Sequence, residues 1–150
     1  MYIISGCLCG VNCKYNGDNN LDNKCLELLK TGQAILVCPE QMGGLSTPRV
    51  PAEITSLNKE NIHSEEFNIK TKNGDDVTEQ FKKGAYETLK IAKEVGATKA
   101  ILKEGSPSCG CNYIYDGTFT GTKIKGMGMT ARLLKENGID VISDKDFGGK

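Results

Sequence analysis

The hydrophobic pattern predicts short buried strands that alternate with amphipathic helices. Apolar runs of strand length, each followed by turn-forming residues, occur at 2–5, 34–37, 100–103 and 139–142. Apolar residues repeat at helical spacing in segments that end at or before a glycine, at 21–30, 76–95 and 129–137. The second helix is predicted to begin with a capping box, Asp76 to Glu79. This alternation predicts an α/β fold, with a mostly parallel, Rossmann-like sheet that helices cover on both faces.

The remaining segments predict smaller additions to the sheet. Residues 52–57 and 67–71 predict a small hairpin excursion, and the aromatic, glycine-rich segment 113–121 predicts a turn or short hairpin. Segment 39–51 is predicted as a loop, because its glycines and prolines prevent it from being helical throughout. The sequence shows no internal repeat or linker, so we expect a single domain over residues 1–150.

Composition excludes several classes of partner. The chain has 19 Lys plus Arg and 19 Asp plus Glu, without the basic excess that attracts DNA, large RNA or an anionic membrane. No apolar run approaches the roughly 20 residues that cross a bilayer, and the N-terminus lacks the pattern of a signal peptide. We therefore expect a cytoplasmic protein without a membrane or DNA partner. The sequence leaves its oligomeric state open between monomer and homodimer.

Cysteine placement is the strongest chemical signal. The seven cysteines are at positions 7, 9, 13, 25, 38, 109 and 111. In the cytoplasm disulfides are rare, so clustered cysteines more often bind metal or perform chemistry. Cys7 and Cys38 follow two apolar strands directly, and Cys109 lies on the Gly/Pro-rich loop after a third. Ligands of parallel sheets bind at the carboxyl ends of strands, so we expect these three cysteines to converge on one crevice.

Three close thiolates require a cation, which favours metal or cluster chemistry over the alternatives. Structural zinc usually takes four ligands from CxxC pairs; these pairs are missing, although Cys9 or Cys111 could supply a fourth ligand. An iron–sulfur cube held by three cysteines leaves one iron free for a substrate. A nucleophilic Cys109 lacks a well-placed base, since His63 lies at a polar hairpin tip. A redox dithiol, such as Cys7 with Cys9, lacks CxxC spacing and stays an open alternative.

Long motifs resemble the DUF523 family, which includes the thiouracil desulfidases. The matching stretches are 5–17, 37–45, 48–53, 74–78, 101–110 and 114–119. The resemblance implies a [4Fe-4S] cluster held by Cys7, Cys38 and Cys109, with one iron free of protein ligands. It also implies an enzyme that cleaves C=S in 2- or 4-thiouracil without redox change, giving uracil and hydrogen sulfide. The open iron would bind the thione sulfur and polarise the carbon–sulfur bond as a Lewis acid.

The same resemblance suggests which residues bind and transform the substrate. Glu40 is predicted to be the general acid/base, with a structural carboxylate paired to Arg49 as the alternative. Ser108 is predicted to donate a catalytic hydrogen bond, with Ser106 in its place if the loop turns the other way. Substrate contacts are predicted from Ser106, Arg49 and the backbones of Gly43, Gly44 and Gly110. Tyr15 and Tyr115 are candidates for stacking on the base or for packing.

Some alternatives stay open within this interpretation. Cys9 or Cys111 could bind the fourth iron and close the site, whereas Cys13 is expected to lie near the ligands or to be inert. A second functional class is a zinc- or Fe–S-binding module without turnover, such as a sulfur or iron carrier. A thionucleotide or thiolated RNA could replace the free base, although the neutral net charge disfavours large RNA.

Overall fold

The computed structural model describes residues 1–148, so the last two residues of the predicted domain lie outside it. The strands are β1 Tyr2–Ser5, β2 Ala34–Val37, β3 Ala52–Ile54, β4 Ile69–Thr71, β5 Lys99–Leu102, β6 Tyr113–Tyr115, β7 Lys123–Lys125 and β8 Asp140–Ser143. The helices are α1 Asn23–Lys30, α2 Pro39–Met42, α3 Thr78–Glu94 and α4 Met129–Glu136. None of the helices in this part of the chain is long and apolar enough to cross a membrane.

Four strands form a parallel sheet in the order β2-β1-β5-β8. Ile4 of β1 lies beside Leu36 of β2 on one side and Ile101 of β5 on the other. The chain therefore leaves β1 in one direction to form β2 and returns to the other side of β1 to form β5. This reversal of strand order opens a crevice at the carboxyl end of β1, where ligands of such sheets bind.

Helices cover both faces of the sheet, as the sequence predicts. Successive side chains of a strand point to opposite faces. Ile4 and Ile101 are fully buried in a cluster with Cys25 of α1. Ile3 belongs to the larger cluster on the other face, which includes Leu134 of α4 and the apolar face of α3. The α/β class and the mostly parallel sheet are confirmed.

The smaller elements are confirmed with shifted boundaries. β3 pairs with β4 and β6 with β7, so both predicted hairpins form with shorter strands. α1 begins at Asn23, two residues late, because the Asp22 carboxylate caps it by accepting from the Lys24 and Cys25 amides at 2.9 and 3.4 Å. The helix predicted over 21–30 therefore ends where expected and begins two residues later than predicted.

The predicted capping box at the start of α3 forms in part: the Asp76 side chain covers an N-terminal amide as predicted, and the reciprocal bond from Glu79 is not among the described hydrogen bonds. Asp76 accepts from the Thr78 amide at 2.9 Å, and no side-chain hydrogen bond caps the helix at Val77. The Asp76 backbone also forms an antiparallel bridge with Lys70, the middle residue of β4, which pairs with Glu53 of β3 on its other side. This bridge holds the residues just before α3 against the hairpin, which is the position that a hydrogen bond from Glu79 was predicted to fix.

Segment 39–51, predicted as a loop, begins with the short helix α2. Proline suits its first position because the missing N–H has no partner there in any helix. α2 crosses α3 at two glycines. A Cβ on Gly84 would lie 1.9 Å from the Pro39 carbonyl oxygen, and one on Gly43 would lie 1.9 Å from the Gln80 carbonyl oxygen. The two helices therefore touch backbone to backbone.

Replacing Gly84 with Ala is expected to lower the free energy of unfolding by about 1–3 kcal/mol, the usual cost of an overpacked contact. The added methyl group must push α2 away from α3. Urea unfolding measures the change, with Lys83→Ala on the exposed side of the same helix as the matched control, expected within about 0.5 kcal/mol of wild type. Equal free energies of unfolding for Gly84→Ala and Lys83→Ala would show that α2 can shift away from α3 without destabilising the fold.

Candidate active site

A cavity of about 830 Å³ lies at the carboxyl ends of β1, β2 and β5, and Cys7, Cys38 and Cys109 all line it. Cys7 lies in the 3-10 turn Gly6–Cys9 directly after β1, and Cys38 follows β2. Cys109 is 4% exposed on the loop after β5. The strand topology thus brings together the three side chains predicted as cluster ligands.

Cys13 is a fourth thiol in the cavity wall. Its side chain hydrogen bonds to Cys7 and Cys38, and this bond lowers the pKa of Cys7 to about 7 and lowers the pKa of Cys38. Cys7 also accepts from the Asn20 amide nitrogen at 3.5 Å. The same contacts raise the pKa of Cys13 itself. The Cys38 thiol also donates to the Cys13 carbonyl at 3.7 Å, so Cys13 contacts Cys38 through its backbone as well, and its single S–H can serve only one neighbouring sulfur at a time.

Cys109 differs from these two thiols because burial raises its pKa well above the usual value. Negative charge at Glu40 acts in the same direction. A fully desolvated thiol gives up its proton readily only when a cation takes its place. Cys109 is thus a thiol whose environment suits metal ligation better than free nucleophilic chemistry.

The two other candidates for a fourth ligand do not line the cavity. The Cys111 thiol donates to the carbonyl oxygens of Leu102 and Cys109 at 3.9 and 3.5 Å, and burial raises its pKa. Cys9 lies at the end of the 3-10 turn and also has a raised pKa, caused by burial. Neither residue shares the space enclosed by Cys7, Cys38 and Cys109.

Three cysteine thiols that line one cavity are donors of the kind that hold an iron–sulfur cluster. Within residues 1–148, no group of three or more His, Cys, Asp and Glu side chains is arranged so that it could hold one metal ion. A cluster bonds each cysteine through a different iron, so its thiolates need not converge on a single point. The spacious cavity between Cys7, Cys38 and Cys109 accommodates that requirement.

Glu40 and Ser106 form a hydrogen-bonded pair on the cavity wall. The Ser106 hydroxyl donates to Glu40 Oε2 at 3.1 Å. The same hydroxyl accepts from the amides of Ser108 and Cys109 at 2.9 and 3.1 Å. Because these two N–H groups occupy its lone pairs, the single hydroxyl proton must point toward Glu40. The pair therefore fixes the orientation of the Glu40 carboxylate on the cavity wall.

Ser108, predicted as the catalytic serine, lies outside the cavity lining. It is fully buried, and its hydroxyl bonds to the Thr130 hydroxyl at 2.7 Å. Its carbonyl accepts from the Ala131 amide at 3.1 Å, which ties this part of the loop to α4. The loop thus turns so that Ser106 faces the cavity and Ser108 faces the core.

Arg49 lines the cavity, but its guanidinium is held by neighbouring oxygens. Nη2 donates to the Cys13 carbonyl at 2.9 Å, and Nη1 donates to the Thr47 hydroxyl at 2.9 Å and the Ser46 carbonyl at 3.3 Å. The alternative pairing of Arg49 with Glu40 does not occur among the described ion pairs. Arg49 fastens the Cys13 loop to segment 46–49 and keeps N–H groups free.

The three predicted glycine contacts lie outside the cavity lining. Their N–H groups already donate to backbone oxygens, Gly43 to Pro39, Gly44 to Gln41 and Gly110 to Ser106. A Cβ on Gly110 would lie 2.6 Å from the Tyr113 carbonyl, so this glycine permits a close approach of two loop segments. These glycine N–H groups are therefore not placed to bind a substrate in the cavity.

Three further lining residues, Glu53, Glu104 and Phe119, lie within stretches that match the family but have no role assigned from the sequence. Glu104, which follows β5, is 5% exposed and accepts from the Cys111, Asn112 and Tyr113 amides at 2.6, 2.8 and 3.2 Å. Burial acts to raise the pKa of Glu104, but these backbone hydrogen bonds hold it below the usual value. Its carboxylate therefore fixes the chain beyond Cys109. Glu53 and Phe119 also line the cavity.

Comparison with known proteins identifies the family of this chain. A model of the family described as 2-thiouracil desulfurase matches residues 2–146. The Uncharacterized protein YbbK of Bacillus subtilis (strain 168) is 47% identical over 147 residues, 98% of this chain and 97% of that protein. The solved structure of the [4Fe-4S]-dependent thiouracil desulfidase TudS (DUF523Vcz) is 39% identical, with a TM-score of 0.86, and the match covers 98% of this chain and 92% of that one. The chain belongs to the 2-thiouracil desulfurase family.

Proposed function

We propose that this chain removes sulfur from a thiolated pyrimidine, of the 2- or 4-thiouracil type, with a [4Fe-4S] cluster held by Cys7, Cys38 and Cys109. The observation that carries the proposal is the cavity in which these three cysteines meet the Glu40–Ser106 pair. The family and the similarity to the [4Fe-4S]-dependent desulfidase TudS support the same chemistry. When bound, the cluster supplies an iron without a protein ligand, which acts as a Lewis acid on the thione sulfur.

Water balances the reaction without redox change. Its oxygen becomes the uracil oxygen, its two hydrogens leave with the sulfur as hydrogen sulfide, and no electron enters or leaves. We assign the first proton transfer to Glu40, which takes a proton from the water as the new carbon–oxygen bond forms. As the carbon–sulfur bond breaks, Glu40 returns this proton to the sulfur. It then takes the proton of the new hydroxyl group as the uracil C=O forms, and passes that second proton to the sulfur, which leaves as hydrogen sulfide.

Ser106 holds the Glu40 carboxylate in one orientation throughout these transfers. Its hydroxyl is fixed by the Ser108 and Cys109 amides, so the serine is rigid before a substrate binds. A preorganised donor stabilises developing charge without a cost of reorientation in the transition state. The catalytic role predicted for Ser108 thus passes to Ser106 in this proposal, and Ser108 anchors the loop through Thr130.

The size and charge of the cavity favour a second candidate substrate, a thiolated nucleotide. The volume of about 830 Å³ must hold the cluster as well as the substrate, and it lies toward the upper end of the range for small-molecule pockets, which leaves room beside a pyrimidine ring for a larger group. Lys14, Lys72 and Arg49 line it and offer positive charge to a phosphate. Arg49 retains N–H groups for such a contact or for a pyrimidine oxygen.

The decisive experiment measures iron and acid-labile sulfide after anaerobic reconstitution, together with hydrogen sulfide release. We expect about four of each per chain, the content of one [4Fe-4S] cluster, and release from 2-thiouracil, 4-thiouracil or 4-thiouridine monophosphate. The nucleotide separates the two candidate substrates. A full cluster without release from any thiopyrimidine would favour a carrier without turnover. One tightly held zinc without iron would overturn the mechanism.

A further inference from the structure

Phe119 has an unusual backbone conformation for a large residue. Its φ is 59°, and it is the one non-glycine residue with positive φ in the described chain. Glycine adopts this conformation without steric cost, and asparagine or aspartate tolerates it, whereas a phenylalanine is strained there. Strain of this kind persists only where the surrounding structure enforces it, and it clusters at ligand-binding sites. The benzyl side chain therefore has a role that backbone conformation does not explain.

That role is not core packing. Phe119 belongs to neither hydrophobic cluster of the described chain and is only partly buried. Its ring forms no aromatic pair among the described residues, whereas Tyr113 and Tyr115 contact each other edge to face at 6.3 Å between ring centroids. Phe119 lines the same cavity as the cysteines and the Glu40–Ser106 pair. It thus adds an unpartnered aromatic ring to the cavity wall.

Glu53 holds Phe119 in this conformation. Its Oε1 accepts from the Gly117 amide at 2.9 Å and from the Phe119 amide at 3.2 Å. Glu53 lies on β3 and lines the cavity. A Cβ on Gly117 would lie 2.7 Å from the Ile54 carbonyl oxygen, so the loop can approach β3 only because residue 117 is glycine. The carboxylate and the glycine together clamp the loop to the strand.

The loop that carries Phe119 is also braced internally. Asp116 Oδ1 accepts from the Thr118 amide at 3.0 Å and from its hydroxyl at 2.6 Å. The hydroxyls of Thr118, Thr120 and Thr122 form a chain of hydrogen bonds at 2.6 and 2.8 Å. The Asp116 amide donates to the Thr122 carbonyl at 3.0 Å and closes the hairpin. Phe119 is therefore presented from a preorganised loop.

We infer that the Phe119 ring is the surface on which the pyrimidine ring of the substrate stacks, and that Glu53 is a positioning residue that acts through it. The inference deepens the proposed function and rests on it for the substrate. Aromatic rings stack on the faces of nucleobases, and a rigid ring does so with little loss of conformational freedom. Tyr15 and Tyr115, the stacking candidates from the sequence, are respectively half-exposed and paired with Tyr113.

The test combines kinetics of the reconstituted enzyme with binding of the product. For Phe119→Ala we expect the KM for 2-thiouracil and the dissociation constant of uracil, measured by equilibrium dialysis, to rise about 5- to 150-fold, the range for loss of one stacked base. Since stacking stabilises bound substrate and transition state alike, kcat should change by less than about threefold. Phe119→Tyr should restore both constants. Tyr86→Ala, on the exposed side of α3, is the matched control and should change neither.

Stability separates a binding role from a structural one. Phe119→Gly removes the strain, so its melting temperature should equal or exceed that of the wild type even as uracil binding weakens. A lower melting temperature with unchanged uracil binding would overturn the inference. Glu53→Ala should weaken uracil binding, and adding it to Phe119→Ala should cause little further loss, because both changes remove the same contact. Additive losses would contradict the role of Glu53.

The outcomes distinguish this inference from the proposed function. If the wild type releases sulfide, and the KM for 2-thiouracil and the dissociation constant of uracil are the same in Phe119→Ala, the proposed function stands and the stacking role is overturned. Uracil binding that depends on Phe119, without sulfide release from any thiopyrimidine, would preserve the stacking role and overturn the desulfidase. Wild-type protein that binds neither uracil nor 2-thiouracil would overturn the inference.

Discussion

Replacing Glu40 with Gln is expected to lower kcat for hydrogen sulfide release by about 10²- to 10⁴-fold, the usual contribution of a general acid/base. Glutamine has the same size, and its amide oxygen can still accept a hydrogen bond from the Ser106 hydroxyl. The change therefore removes the negative charge of Glu40 and, with it, the ability to take up and return a proton. Because Glu40 is not assigned as a ligand, the iron and acid-labile sulfide content should match the wild type.

Glu66→Gln is the matched control for this experiment. Glu66 is an exposed carboxylate on the β3–β4 connection and is absent from the cavity lining, so its kcat should equal that of the wild type. Undiminished turnover in Glu40→Gln would assign the proton transfer to another group. Lost iron in that variant would instead mean that Glu40 supports the cluster.

Replacing Cys109 with Ser is expected to abolish stoichiometric cluster binding and, with it, sulfide release. A serine hydroxyl does not ionise as a thiol does, and thiolate is the form that binds iron. Even changes behind a ligand commonly lower metal affinity by about 10- to 100-fold, so loss of a ligand should reduce retained iron at least tenfold. Iron content and the visible absorption of the reconstituted protein measure the effect.

Two other cysteines provide controls for Cys109. Cys111→Ser changes a partly buried thiol two residues away that does not line the cavity, and it should retain the full cluster. Cys13→Ala removes the thiol donor between Cys7 and Cys38, and we expect it to retain four irons because Cys13 is not assigned as a ligand. Loss of iron from Cys111→Ser alone would move the third ligand from Cys109 to Cys111.

Much of the fold follows from short-range patterns in the sequence. The buried strands β1, β2, β5 and β8 appear as apolar runs, and parallel topology then brings the residues after them to one edge of the sheet. The position of the cavity is therefore predictable from the order of strands and helices. The family resemblance follows from motifs at those strand ends and in the loops that follow them, together with stretches 74–78 and 114–119.

The orientation of side chains within loops follows from contacts distant in sequence. Ser106 and Ser108 are two residues apart, and the choice between them depends on Glu40 on one side and Thr130 on the other. Similarly, α2 is too short to show a helical period, and its position depends on its close approach to Gly84. Sequence patterns describe neighbours along one segment, so they do not contain these pairings.

The backbone conformation of Phe119 also depends on a residue distant in sequence and cannot be predicted from its neighbours. Nothing in the run from Gly117 to Gly121 indicates which residue takes the left-handed conformation, and glycine is the ordinary choice. The conformation is imposed by Glu53, which is far away in sequence and comes close only when β3 lies next to the second hairpin.

The strand order also determines when the site comes into existence during synthesis. Cys7 and Cys38 emerge early from the ribosome, on the adjacent strands β1 and β2. Cys109 follows β5, which can pair with β1 only after the intervening hairpin and α3 have been made. A nascent chain that ends before this loop holds only two of the three assigned ligands. Under the proposed function, cluster delivery therefore follows the pairing of β5 with β1, and the folded sheet is the acceptor for the cofactor.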